Sequence, residues 1–376
     1  MKRILKMIVL AFLAMPVISV AQGCMGGDDS DGVKVVGYIQ GQYEQQFLGE
    51  DVEPFHGFES ANTFFFDRAR LGVVGNIPYD FSYYVMAEFS PTHGGPYLLD
   101  AFISYKRLDP YLTVSVGQFK SPFGLELTTP CQGLHAVYRA RFIGELASPF
   151  RDLGVMLLGR TDELFGMKDF IQYRLAITNG TGLNKFDNNT YKDFIGRIVV
   201  SPLEWVHIGA SYKYGKQKPV KEELDPDERS RWGVDLSVEK ANFLLQAEYI
   251  EGMDKGSYQE GGGCGSTPVI KIGDKKRNGY MAQLLYMTPW NIQPIVKMAC
   301  YDPNIKIGDG NPDDTETTYD YDKQMDYTFG FNYFFNEWTR LQVNYVLRRE
   351  ESSETVLEDY HEIDNDFLVI QLQVTF

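Results

Sequence analysis

The chain has 376 residues, with 51 acidic against 36 basic side chains and a formal charge of −15. That balance lacks the basic surplus expected of a nucleic-acid binder. Apolar residues at 44% and charged residues at 23% exclude a disordered acidic chain and a collagen-like array.

In chain order, residues 1–21 read as a secretory signal. Lys2, Arg3 and Lys6 precede an apolar run from Met7 to Met15, then Pro16, and Ser19-Val20-Ala21 supplies the small residues before a cleavage expected at Gln22. The apolar run is far shorter than the ~20 residues that span a bilayer. Cys24 raises a lipoprotein alternative, but Gln22 sits where a lipobox asks for a small residue. Residues 22–33, with Asp28-Asp29-Ser30-Asp31, read as a flexible periplasmic N-terminus, and 34–376 as the folded unit.

From residue 34 onward, apolar residues recur in steps of two. Leu341, Val343, Tyr345 and Leu347 share one face while Arg340, Gln342, Asn344 and Arg348 share the other; Leu368, Ile370, Leu372, Val374 and Phe376 repeat the pattern against Gln371, Gln373 and Thr375. This is the period of a strand, not of a helix. About sixteen segments follow it: 34–46, 63–75, 80–90, 98–107, 111–120, 152–160, 169–179, 193–201, 204–215, 231–239, 242–251, 279–287, 293–301, 325–335, 338–349 and 366–376. The connections alternate between short ones, such as 76–79, 108–110, 202–203 and 240–241, and long polar ones, such as 47–62, 121–151, 252–278, 302–324 and 350–365.

Alternating loop lengths and strands of about ten residues predict an all-β fold: a transmembrane antiparallel β-barrel of about 16 strands in a bacterial outer membrane. Closure satisfies every backbone group where no water can. The apolar face must meet lipid, where a charge costs ~2–4 kcal/mol at mid-bilayer, so the polar face lines the lumen. At sixteen strands, side chains alone cannot fill that lumen, which is expected to hold water.

The longest connection, 121–151, combines Arg139, Arg141 and Arg151 with apolar Leu134, Val137, Phe142 and Ile143, and its acids are Glu126 and Glu145. Such a segment is expected to fold into the lumen, with an ordinary surface loop as the alternative. By parity, Arg174, Arg197, Arg340 and Arg348 face inward, opposed by inward Glu88, Asp100, Asp235, Glu248 and Asp326. Each arginine could serve the pore or stiffen the wall as an ion-pair partner. The cysteines Cys24, Cys131, Cys264 and Cys300 leave open a Cys131–Cys264 staple or unpaired thiols. His56, His93, His135, His207 and His361 show no metal spacing, the acidic run 309–314 reads as a solvated outer loop, and P-loop, GxSxG and HExxH motifs are absent. No enzyme activity, metal or cofactor is expected.

Phe66-Asp67-Arg68-Ala69-Arg70-Leu71-Gly72-Val73-Val74-Gly75, Gly117-Gln118-Phe119-Lys120-Ser121-Pro122-Phe123-Gly124-Leu125-Glu126, Arg151-Asp152-Leu153-Gly154-Val155-Met156-Leu157-Leu158-Gly159, Asn179-Gly180-Thr181-Gly182 and the final Phe376 together resemble the phosphate-selective porins O and P. The acidic chain looks similar to the Bacteroides-type branch of that family. The resemblance implies a sixteen-stranded homotrimer with an infolded third loop, set among outer-membrane lipid and lipopolysaccharide. It also implies passive diffusion of small hydrophilic or anionic solutes such as phosphate or polyphosphate. Basic residues carried over onto matching positions are Arg68 and Arg70 on the second strand and Lys120, Arg139 and Arg141 at the loop. The pore-lining set expected overall is Arg68, Arg70, Lys120, Arg139, Arg141, Arg174, Arg197 and Arg340, with Arg139 and Arg141 facing Arg68 and Arg70. The other class of function left open is a plugged structural or interaction barrel whose outer loops bind a partner or surface glycan.

Overall fold

In a computed structural model, the described residues are 32–49, 52–219, 221, 223–260, 269–303, 305, 323–351 and 364–376. The expected signal segment 1–21, residues 22–31, Cys24, Cys264, His361 and the acidic run 309–314 lie outside them. The strands are β1 (Val33–Leu48), β2 (Asn62–Ile77), β3 (Phe81–Glu88), β4 (Tyr97–Leu108), β5 (Leu112–Lys120), β6 (Arg151–Arg160), β7 (Glu163–Leu164), β8 (Met167–Lys168) and β9 (Ile171–Thr178). They continue as β10 (Asp193–Leu203), β11 (Val206–Gln217), β12 (Asp227–Lys240), β13 (Phe243–Glu260), β14 (Val269–Tyr286), β15 (Ile292–Asp302), β16 (Lys323–Phe334), β17 (Thr339–Glu351) and β18 (Asn365–Thr375). All but the β7–β8 hairpin form one closed barrel, in which each strand pairs antiparallel with its chain neighbour and β1 closes on β18. No helix among the described residues is long and apolar enough to cross a membrane; the strands do the crossing.

The period-two reading places every barrel strand. Outward Leu372 and Val374 are exposed while inward Gln371 and Gln373 are buried, as the alternation requires. Hairpin tips use left-handed pairs, Tyr79–Asp80 and Ala241–Asn242, whose twist suits two-residue turns. Exposed Tyr79, Tyr111, Trp290 and Trp338 ring the short-turn end, the position of an interfacial aromatic girdle.

Two features depart from the simple period. The β13–β14 hairpin runs well past residue 251, through Glu260 and back from Val269. Its outer part (Asp254-Lys255 against Asp274-Lys275) is polar on both faces, so backbone pairing persists where no apolar alternation marks it. The second is a pair of bulges. On β2 the register shifts between Gln40 and Gly41 of β1, with Arg68 opposite one and Phe66 opposite the other. On β4 a shift between Met86 and Ala87 of β3 leaves Leu99 out of register. Each bulge gives one strand an extra residue, and two consecutive side chains then turn inward: Asp67 with Arg68, and Leu99 with Asp100.

Candidate functional site: the loop across the lumen

Strand number alone would leave a wide lumen. Residues 121–150, here L3, fold into it and fill much of it. Its ends meet where the Ser121 amide donates to the Phe150 carbonyl at 2.9 Å, and between them lie α1 (Leu125–Thr128) and α2 (Arg141–Leu146). The driving force is apolar. Phe123, Leu127, Phe142, Ile143 and Leu146 bury against Met86, Leu99 and Phe102, Met156, Ile250 and Met281 from the wall. Fully burying each such side chain contributes ~1.5–3 kcal/mol. Small residues on both sides let loop and wall approach: a Cβ at Gly279 of β14 would collide with Phe142 of L3, and one at Gly124 of L3 with the Glu248 carboxylate of β13.

Polar anchors fix L3 around most of the wall. Both Glu248 oxygens accept amides at 2.8 Å, from Leu125 and Glu126, and the Gly124 amide donates to Ser211 Oγ at 3.0 Å. Lys297 pairs with Glu126, both side chains nearly inaccessible. Asn332 and Gln342 donate to the His135 carbonyl at 3.0 Å each, and Asn344 Oδ1 accepts the Val137 amide at 2.8 Å. The Tyr138 hydroxyl lies 2.7 Å from Glu44 Oε2 and 2.9 Å from Gln42 Oε1. The inward Gln and Asn of β16–β18 thus clamp the L3 backbone, Gln373 of β18 adding a bond to the Gln132 carbonyl at 3.2 Å, which explains why so many of them lie buried in a barrel this wide.

The expected basic residues divide between two sides of L3. On the β1–β6 side, Arg68 pairs with Asp67 at 2.5 Å, Arg70 with Glu88 at 2.7 Å, and Arg151 with Asp100 at 3.0 Å. Lys120 donates to the Thr129 carbonyl at 2.8 Å. Arg139 donates to the carbonyls of Glu126 (2.9 Å) and Thr129 (2.6 Å). Arg70 and Arg139 both direct an Nη1 at Cys131 Sγ, at 3.4 Å. Cys131 carries a free thiol. Burial alone would raise the Cys131 pKa; the charges of Arg68, Arg139, Arg70 and Lys120 outweigh it and hold the thiol well below its ordinary value. Five bases here meet three carboxylates and the Cys131 thiol, whose deprotonated form cancels one more charge, so a single positive charge remains in excess.

Arg141 points the other way. It grips Asp326, with Nη2 to Oδ1 at 2.6 Å and Nε to Oδ2 at 3.0 Å, and reaches Glu350 at 3.2 Å. It therefore does not face Arg68 and Arg70: L3 turns into α2 at this residue, and its side chain meets β16 and β17. Arg197 forms a two-point pair with Asp235, at 2.5 and 2.9 Å. Arg174 lies opposite Arg197 in register, and none of the ion pairs among the described residues involves it. Arg340 donates to the Gln132 carbonyl (2.7 Å) and Gln373 Oε1 (3.1 Å), and its Nε has no partner. Arg348 lies over the Phe55 and Phe367 rings. Between L3 and β15–β18 remains a cavity of about 190 Å³, bordered by His56, Arg139, Arg141, Asp326 and Arg348.

Sequence reasoning missed the part played by the first loop. Phe55 and His56 dip into the lumen, where His56 Nδ1 meets Glu44 Oε1 at 2.9 Å and its ring packs on Tyr138 and Phe367. The aromatic cluster Phe55-His56-Gly57-Phe58 within a polar loop is the signal that could have shown it. Among the described residues, no group of three acids, histidines or cysteines is placed to hold a metal.

His135 supplies a pH test of L3 docking. Burial, reinforced by the charges of Arg340 and Lys297, pushes its pKa down to about 4 from 6.5. The imidazole stays neutral in the docked loop and protonates near 6.5 once released. This contribution is unchanged above pH 6.5 and costs stability progressively as pH falls from 6.5 toward 4, by up to ~3 kcal/mol. The thermal midpoint of the wild type is expected to drop more between pH 7 and 4.5 than that of His135→Gln. Parallel curves would place the imidazole in water.

A closed sixteen-stranded antiparallel barrel with its third loop folded across a polar lumen defines the class of outer-membrane porins. The model for "Phosphate-selective porin O and P" matches residues 42–224 and 221–376, and the chain belongs to that family, which places it in the bacterial outer membrane as a channel-type barrel. No curated protein sequence matches it. Solved structures share the fold. An anion-selective porin from Comamonas acidovorans has a TM-score of 0.64 at 12% identity, covering 92% of this chain and 100% of that one. The outer membrane channel DcaP of Acinetobacter baumannii has a TM-score of 0.64 at 13% identity, covering 93% and 99%. OmpT, an outer membrane protein of Vibrio cholerae in trimer form, has a TM-score of 0.60 at 12% identity, covering 92% and 100%.

Proposed function

We propose that this chain is a passive diffusion porin, without enzyme activity, whose L3 constriction favours small hydrophilic anions. The carrying observation is Arg139. Its guanidinium binds carbonyls and a thiol but no carboxylate among the described residues, and it borders the cavity. Charges more than ~8–10 Å away are screened at physiological salt, so this local surplus outweighs the overall −15. The trimeric neighbour and the anion-selective neighbour support a homotrimer and an anion preference; lipid and lipopolysaccharide surround the outward apolar face.

The test is a planar bilayer with a salt gradient. Arg139→Glu is expected to move the reversal potential toward cations. Arg141→Glu, whose positive charge is already matched by Asp326 and Glu350, is expected to act mainly by repelling those acids and loosening L3. An unmoved reversal potential in Arg139→Glu would assign that residue to loop anchoring. The dense contact of L3 with the wall favours a second reading, a plugged barrel with an adhesive or structural role, and absence of any conductance would select it.

A further inference from the structure

The cavity between L3 and β15–β18 has two chemically distinct sides. One is apolar, lined by Val346, Phe367 and Val369 of β17 and β18, Ala136 and Ala140 of L3, and Ala299 of β15. Its volume of about 190 Å³ exceeds the ~150 Å³ of an engineered cavity that admits benzene. The other side is set by Arg348. Its guanidinium carbon sits 4.3 Å from the Phe55 ring centre and 4.7 Å from that of Phe367, a position over two ring faces that holds the group in place. Its Nε is shut off from solvent with no hydrogen-bond partner. The carboxylate of Asp326 lies 3.8 Å from it, and both oxygens of that carboxylate are engaged by Arg141. Lys297 is likewise matched by Glu126. Arg139 places each of its three nitrogens on a loop carbonyl or on Cys131, so among these cations it is Arg348 that keeps a nitrogen without a partner, and a buried donor without an acceptor is a costly arrangement.

We propose that this cavity binds small organic monocarboxylates with an apolar body, Arg348 taking the carboxylate and the alanine–valine side the hydrocarbon. The proposal rests on the porin reading for the route by which solute arrives, and it names a solute class that reading leaves open. Inorganic phosphate would leave the apolar lining unfilled.

Calorimetric titration of the detergent-purified protein with sodium benzoate, sodium acetate and sodium phosphate tests it, alongside bilayer conductance of the same preparation. Benzoate is expected to bind at least tenfold more tightly than acetate or phosphate. Arg348→Gln is expected to weaken benzoate at least tenfold. Ala299→Leu, which fills the apolar side without touching a charge, is expected to do the same, and it keeps the test decisive should Arg348→Gln lose its heat-modifiable fold. Phosphate binding as tight as benzoate, or benzoate binding unaltered in a folded variant, would overturn the proposal. Conductance without benzoate binding refutes the site and leaves the porin reading standing. Benzoate binding without conductance supports the site and refutes the porin reading.

Discussion

Replacing residues 122–149 with Asn-Gly is expected to give a folded barrel whose single-channel conductance is several-fold above wild type. The excision is geometrically mild: Ser121 and Phe150 already share a backbone hydrogen bond at 2.9 Å, and the β5–β6 ladder is continuous from Thr113↔Leu158 to Lys120↔Arg151, so a two-residue turn can close it. The barrel itself does not depend on L3 for closure, because every strand pairs with two neighbours. What the variant loses is the occluding mass in the lumen, together with the apolar contacts to Met86, Leu99, Met156, Ile250 and Met281. A lower thermal midpoint should therefore accompany the larger current. Unchanged conductance in a folded variant would show that ions do not pass L3.

The second large effect is expected from Lys297→Met. The ammonium and the Glu126 carboxylate are paired with side-chain exposures of 3% and 5%, and the other Glu126 oxygen accepts the Ala140 amide at 2.9 Å. Removing the ammonium strands a carboxylate under L3, a change that typically costs ~3–5 kcal/mol. The double variant Lys297→Met with Glu126→Gln removes both charges and keeps an acceptor for Ala140, so it is expected to recover much of the loss. Urea unfolding in lipid vesicles reads the difference. Equal midpoints for single and double variants would show that neutralising Glu126 recovers nothing, and that the stranded carboxylate is not the source of the loss.

The candidate site was only partly legible in the sequence. L3 could be recognised because basic and apolar residues coexist in it, a combination that solvent does not favour. Which arginine faces which wall could not be read, because that depends on the turn at Ala140, where the chain enters α2 and sends Arg141 toward Asp326 while Arg139 stays beside Cys131. Parity placed Arg197 and Arg348 inward, yet it carried no information that Asp235 neutralises the first while Phe55, from a distant loop, stacks on the second.

The sequence by itself determined the barrel: its strand number, its membrane setting and the face each strand turns to lipid. These follow from period two and loop lengths, which are local properties enforced everywhere by the cost of wetting or burying the wrong side chain. Tertiary structure alone decided how the lumen is divided. The bulges at Asp67 and Leu99, the polar outer hairpin, the entry of Phe55 and His56, and the pairings across L3 join residues far apart in the chain, as Gln373 and the Gln132 carbonyl, 241 positions apart, show. Such contacts depend on three-dimensional closure, and a one-dimensional pattern of apolar and polar residues does not encode them.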